Sequence, residues 1–276
     1  MPLLNILKIT ASALILASSS SIHAAEKFRV CADPLNPPYS SKKQDGFENK
    51  IATLFAKKLN QELEYYWFPQ RIGFVRNTLK SKIDENSDQF KCDVIMGVPA
   101  GFDFTATTNS YYQSTYVLLI AKGRGWDNIT IPEQLRSLPL AKQASLKIAM
   151  FDRGPGTAWL QNSGLLDQGV PYQTMTGDNE NNTAMLMEQA LQKGDIDMVI
   201  LWGPMAGHII SRNPTAYKSL PMKSSLNMKF DYGMAMGVRY PDKQRKNQLN
   251  QLIKENQAEI NAILKSYHVP LLDIEK

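Results

Sequence analysis

CDVIMGVP at residues 92–99 and DMVILWGP at residues 197–204 decide how this chain folds. Each is a short apolar run with no polar alternation, opened by an aspartate and closed by a Gly/Pro turn. A strand of that kind is buried on both faces, as in a parallel sheet with helices on either side. Each run also has a counterpart upstream, FRVCADP at 28–34 and KIAMFDRGP at 147–155, in which a short strand ends in an aspartate turn. The correspondence is one of architecture rather than of sequence.

The intervening segments supply the helices. GFENKIATLFAKKL (46–59) places Phe47, Ile51, Leu54, Phe55 and Leu59 on one stripe, and LEYYWF (63–68) is a strand closed by Pro69. RIGFVRNTLKSKI (71–83) aligns Ile72, Val75, Leu79 and Ile83 at helical spacing. In the second unit GTAWLQN begins a helix, and NNTAMLMEQALQKGD carries Ala184, Met187 and Leu191 on one face before Gly194, a natural stop. Two extended stretches, STYVLLIAK (114–122) and MKFDYGMAMGVRYP (228–241), bracket that unit. A long helix from Asp242 to about Tyr267 follows, with an apolar stripe through Leu249, Leu252, Ile253, Ile260, Ile263 and Leu264. The expected fold is therefore α/β, two lobes joined by two hinge strands. Lobe 1 takes residues 26–120 plus 231–276 and lobe 2 takes residues 121–230. The carboxyl ends of both sheets then face a shared cleft, where open α/β sheets bind ligands.

Residues 1–25 hold Lys8, an apolar stretch Ile9–Ala17 and a run of small residues. That is a signal-peptide pattern, too short to span a bilayer, with cleavage expected at Ala24 or Ala25 and export as the consequence. Cleavage leaves 30 basic against 26 acidic residues, a mildly basic chain without charge runs or a basic-aromatic ladder. Nucleic acid is not an expected partner, whereas an acidic protein surface is compatible with it. Cys31 and Cys92 are the two cysteines, and an exported pair invites a disulfide. With Pro34 and Pro99 level on neighbouring strands, however, they are offset by four residues, roughly 13 Å, against a limit of about 7 Å between bridged Cα atoms. The pair stands as a disulfide candidate against that register.

Beyond the leader the residues resemble the family 3 extracellular solute-binding proteins, periplasmic receptors of polar-amino-acid transporters with a periplasmic-binding-protein type II fold. RVCADPLNPPYS, GFENKIATLFAKKL, CDVIMGVP, YYQSTYVLLIAK, GPGT, GDIDMVILWGP and FDYGMAMGV carry the likeness by their order and spacing. ADPLNPPYS, GFENKIA, FPQRIGFVRNTL, CDVIMGVPAG and YYQSTYV are similar, more narrowly, to the MoxJ/XoxJ group. That resemblance implies a periplasmic accessory protein of pyrroloquinoline-quinone (PQQ) methanol dehydrogenase, with a dehydrogenase subunit as partner. It also exposes two departures. Family receptors clamp the ligand carboxylate with the arginine of Thr-x-x-Arg, yet no lysine or arginine lies between Lys91 and Lys122. Thr105 is assigned the arginine's place. The aspartate that holds the ligand ammonium is replaced by Trp202. A free α-amino acid is thus a poor candidate ligand, since a buried carboxylate without its arginine costs several kcal/mol.

The cleft or ligand candidates are Asp33, Tyr39, Arg71, Gly97, Pro99, Thr105, Arg153, Gly156, Thr157 and Trp202. Arg71 and Arg76 are also candidates for a partner surface, or else solvated helix charges. The GPGT turn offers backbone N–H groups to an anion, or is simply a tight turn. Trp202 either stacks on a planar ligand or plugs the cleft. Tyr111, Tyr112 and Tyr116 read as core, as do Met185, Met187, Met234 and Met236. His208 and His268 lie on separate segments without metal-ligand spacing, so no metal or cofactor is expected. Asp33 and Asp152 facing each other across the cleft is the arrangement an enzyme on this fold needs, but both read more simply as turn carboxylates. An accessory protein, a transport receptor for a non-amino-acid ligand and an enzyme remain the three functional classes, with the accessory role preferred and catalysis not expected.

Overall fold

The structure, a computed structural model, describes residues 26–174 and 181–274. The expected leader and its cleavage point lie outside the described residues. β1 (Lys27–Ala32) leads through the paired short strands β2 (Leu35–Asn36) and β3 (Ser40–Ser41) into α1 (Phe47–Leu59). Next come β4 (Glu62–Trp67), the single-turn helix α2 (Phe74–Asn77), β5 (Val94–Pro99), β6 (Ala106–Thr107) and the long strand β7 (Tyr112–Ala121). The following segment contains α3 (Leu140–Ala144), β8 (Ile148–Phe151), α4 (Pro155–Asn162), β9 (Gly169–Tyr172), α5 (Thr183–Lys193), β10 (Met198–Trp202), α6 (Gly203–Arg212) and β11 (Tyr217–Pro221). β12 (Asp231–Val238), α7 (Lys243–Glu255), α8 (Gln257–Ser266) and β13 (Leu271–Leu272) complete it.

The strands run in the order β4-β1-β5-β12-β7-β10-β8-β9. β1 is parallel to β4 and β5, and β8 is parallel to β9 and β10, which gives each lobe its parallel core. β7 joins the two. Its residues Tyr112–Thr115 pair with β12, whereas Tyr116–Ile120 pair with β10 and Val117–Ala121 with β11. In the second lobe Leu118 and Ile120 enter one core, and Val117, Leu119 and Ala121 the other, because strand side chains alternate between faces. Both faces being covered explains the unbroken run VLLIA.

In the first lobe α1 packs its stripe onto the sheet, with Phe47, Ile51 and Phe55 fully buried. Removing each from water contributes about 2 kcal/mol. Gly46 precedes that helix because a Cβ there would lie 2.1 Å from the Tyr39 carbonyl oxygen. The Asn49 amide oxygen accepts from the N–H groups of Gly46 and Ser41, which ties the helix start to β3. An ion cluster not anticipated from sequence ties β1 to the start of β5 and the end of β12: Asp93 accepts from Arg29 Nε at 2.9 Å and from Arg239 Nη2 at 2.8 Å. Arg239 also reaches the Leu79 and Cys92 carbonyls.

Three expectations are corrected. Residues 71–83 do not form one helix: only Phe74–Asn77 are helical, and Ile72 is 95% exposed while Phe74 and Leu79 are buried. Gly73, at φ +90°, turns the chain just before Phe74, and Thr78 leaves helical geometry after it. The C-terminal helix is broken at Asn256, whose side-chain amide donates to the Leu252 carbonyl and caps α7. Cys31 and Cys92 are joined, with Cα atoms 5.3 Å apart. The strand register, Cys31 opposite Ile95, is one residue from the level-proline estimate. That estimate's 13 Å offset fails because the chain bends at Lys91 and Asp93, so Cys92 lies outside β5 and turns back toward β1.

Candidate functional site: an aromatic cleft at the strand ends

A cavity of about 430 Å³ opens where the carboxyl ends of β1, β4, β5, β8 and β10 converge, the position expected for ligands of open α/β sheets. The first lobe supplies Asp33 and Tyr39 after β1, Glu48 from the first turn of α1, Gln70 after β4, and Gly97 and Pro99 from the end of β5. The second supplies Phe151 at the end of β8 and Arg153 after it, Trp202 at the end of β10 and Met205 in α6. Tyr116 of β7 and Tyr232 and Met234 of β12 form its back, where the lobes join.

Trp202 is the centre of an aromatic box. Its ring centroid lies 5.4 Å from that of Tyr116 and 5.9 Å from that of Tyr232, tilted by 60° and 71°. Tyr116 and Tyr232 are themselves 6.4 Å apart. These are the offset and edge-on geometries that aromatic rings prefer. The box is positioned by backbone register: Trp202 stands opposite Tyr116 on β7, and Tyr232 opposite Ser114 on the same strand. Trp202 is mostly buried, yet it lines the cavity without filling it.

The carboxylates behave differently from one another. Asp33 is satisfied, its oxygens accepting the N–H groups of Leu35 and Gln70. Glu48 has no hydrogen-bond donor or cation among the described residues. Gly97 passes so close that a Cβ there would lie 2.1 Å from Glu48 Oε1, so a side chain at that point would displace the carboxyl from its present position. Burial, and after it the Asp33 charge, push the Glu48 carboxyl up to about 8. Burial also raises the hydroxyl of Tyr39, with Tyr112, Glu48 and Tyr116 adding to the effect. Arg153 is exposed at the opposite wall and has no ion-pair partner among the described residues.

Six of the sequence candidates, Asp33, Tyr39, Gly97, Pro99, Arg153 and Trp202, are brought to the cavity. Four are not. Arg71 is exposed on the loop beyond it, its guanidinium 5.1 Å from the Phe68 ring centroid. Thr105 is buried against Gly237 beneath β12, because the loop turns inward at Phe102 before β6 pairs. Gly156 faces the core, where a Cβ would meet Ile200 and Met150. The Thr157 hydroxyl donates to the Phe151 carbonyl and so fastens α4 to β8. Arg76 is exposed beside Gly73. Asp152 does not line the cavity and accepts from Thr174 Oγ1, so Asp33 faces Glu48 rather than Asp152. Glu48, Met205 and Tyr232 were missed. Glu48 reads in sequence as an ordinary first-turn helix carboxylate, and only the convergence of α1 with β5 brings it to the cleft.

No family model matches the chain. It is 25% identical to Protein MoxJ of Methylorubrum extorquens, over 94% of this chain and 87% of that one. Its fold superposes on the periplasmic binding protein XoxJ from Methylobacterium extorquens AM1 with a TM-score of 0.70 at 31% identity, covering 89% of this chain and 99% of that structure. MxaJ from Methlophaga aminisulfidivorans superposes with a TM-score of 0.73 at 24% identity, covering 89% and 100%. The two-lobed α/β architecture, the cleft at the strand ends and these relationships lead to one conclusion: the chain belongs to the MoxJ/XoxJ family of periplasmic binding proteins.

Proposed function

We propose that this protein is an accessory binding protein of periplasmic methanol oxidation, one that binds the PQQ-dependent methanol dehydrogenase or its assembly intermediates and aids maturation or activation. The observation that carries the reading is the cleft's loss of both amino-acid anchors. No arginine lies on the loop after β5, and Trp202 occupies the end of β10 where a receptor keeps its ammonium-binding aspartate. What remains serves poorly as an amino-acid receptor and leaves the two-lobed frame free for another task. The relatives MoxJ, MxaJ and XoxJ support placing that task in methanol oxidation.

The rim beside the cleft has the composition of a protein contact. Ile72 is almost wholly exposed between Arg71 and Arg76, on the loop that continues from the cavity-lining Gln70. An exposed aliphatic flanked by arginines suits an acidic partner with an apolar notch. Two lobes that meet along β7, with the boundary near the expected residue 120, are supported by the change of its pairing from β12 at Tyr112–Thr115 to β10 at Tyr116–Ile120. Capture of purified methanol dehydrogenase on the immobilised protein tests the reading. Ile72→Asp combined with Arg71→Glu is expected to weaken capture about tenfold or more, as losing a central interface residue does. Unchanged capture by that variant removes the rim from the account, and no capture by the parent protein removes the partner.

A second reading, a receptor delivering a non-amino-acid solute to an ABC transporter, is favoured by one observation. The cavity stays open beside Trp202, with Arg153 and Glu48 lining it and neither paired with an opposite charge among the described residues.

A further inference from the structure

Glu48 is the group for which the fold gives no internal explanation. It sits in the first turn of a well-packed helix, its carboxyl turned to the cavity and its charge met by no cation or donor among the described residues. A glycine on β5 makes room for it. Three rings, Tyr116, Trp202 and Tyr232, line the same cavity at mutual centroid distances of 5.4 to 6.4 Å. Tyr39 stands between the two features, close enough to both Glu48 and Tyr116 for each to act on its hydroxyl.

An uncompensated carboxylate alone is a cost without a use, and an aromatic box alone is a packing motif. Together in one cavity they have a shared complement. Ring faces attract a diffuse positive charge through their quadrupole, by about 0.5–2 kcal/mol per contact, and the carboxylate supplies the counter-charge. We propose that the cleft is a site for a small organic cation, its ammonium or methylated head held by Tyr116, Trp202 and Tyr232 and neutralised by Glu48. A cavity of about 430 Å³ is of the size that encloses small molecules. This inference does not depend on the dehydrogenase as partner.

The groups facing Glu48 are Asp33 and the hydroxyls of Tyr39, Tyr65, Tyr111 and Tyr112, with Arg153 across the cavity. None but Arg153 is cationic, and Asp33 already has its donors. The incoming cation therefore displaces the Glu48 proton, and binding strengthens as pH rises toward 8.

Calorimetric titration of the isolated protein, buffered above pH 8, with tetramethylammonium, choline and the neutral choline isostere 3,3-dimethylbutan-1-ol tests this. The expected result is binding of both cations, with the isostere at least about tenfold weaker, a difference of about 1.4 kcal/mol. Glu48→Gln is expected to lower cation affinity about tenfold or more while leaving binding of the isostere unchanged, a split that a merely structural role does not produce. Should Glu48→Gln fail to fold, Tyr232→Leu, at the partly exposed edge of the box, is expected to weaken the cations about threefold or more. Absence of cation binding at about 10 mM, equal affinity for the neutral isostere, or full retention of cation affinity by the folded Glu48→Gln protein each overturns the proposal. Loss of dehydrogenase capture with intact cation binding refutes the accessory reading alone.

Discussion

Replacing Glu48 by glutamine isolates what its carboxyl does to stability in the cation-free protein. Its folded value of about 8 lies well above the ordinary 4.5, chiefly because burial penalises the charge and secondarily because Asp33 repels it. Between those two values the folded chain keeps a proton that the unfolded chain releases. The contribution is therefore fully present below pH 4.5 and is lost as pH rises toward 8, by about 1.4 kcal/mol for each pH unit. At pH 7 the loss amounts to about 3 kcal/mol once the favourable first-turn position of the carboxylate, worth about 0.5 kcal/mol, is allowed for. Glutamine fills nearly the same volume and cannot ionise. Glu48→Gln should consequently match the parent protein near pH 4.5 and exceed it by about 3 kcal/mol at pH 7, a rise in melting temperature of about 5–10 °C for a chain of this length. Thermal melts of both proteins from pH 4.5 to 8.5, read as the difference at each pH, give the curve. A difference that is flat with pH, or a variant less stable than its parent at pH 7, refutes the reasoning and places a donor on Glu48.

Two further outcomes follow from the first lobe. Opening the Cys31–Cys92 bridge, which closes a loop of 61 residues, by the double substitution to serine should cost about 4 kcal/mol in chemical denaturation. Asp93→Ala removes the carboxylate shared by the half-buried Arg29 and Arg239, of which Arg239 keeps Asp242, and should cost about 3 kcal/mol; a loss under about 1 kcal/mol would show that carbonyls, Asp242 and water suffice for both guanidinium groups.

The parts of the fold legible in the sequence are those in which one local signal decides the matter. CDVIMGVP and DMVILWGP read as buried strands because their apolar runs are covered on both faces. Gly194 ends α5 in the left-handed conformation its position implies. Where a local signal competes with a neighbour, the reading fails. Ile72 and Ile83 keep helical spacing with Val75 and Leu79, but Gly73 turns the chain and leaves both outside the core. Asn256 interrupts an apolar stripe that continues undisturbed on either side, since α7 and α8 each bury their own segment of it. The disulfide depended on a bend at Lys91 and Asp93 that no residue there announces. The cleft was legible as a location, because strand ends fix it, and in the residues that end strands: Asp33, Gly97, Arg153 and Trp202. It was illegible where a residue reaches it from the side. Glu48 arrives from α1 and Tyr232 from a strand that pairs with three others, and neither placement follows from spacing along the chain.

The most direct test of the central claim is native mass spectrometry of the protein purified gently from its own periplasm during growth on methanol. The account predicts a mass equal to this chain plus a methanol dehydrogenase subunit, lost in the variant carrying Ile72→Asp and Arg71→Glu. A protein recovered solely as a monomer, from a periplasm in which the dehydrogenase is abundant, would contradict it.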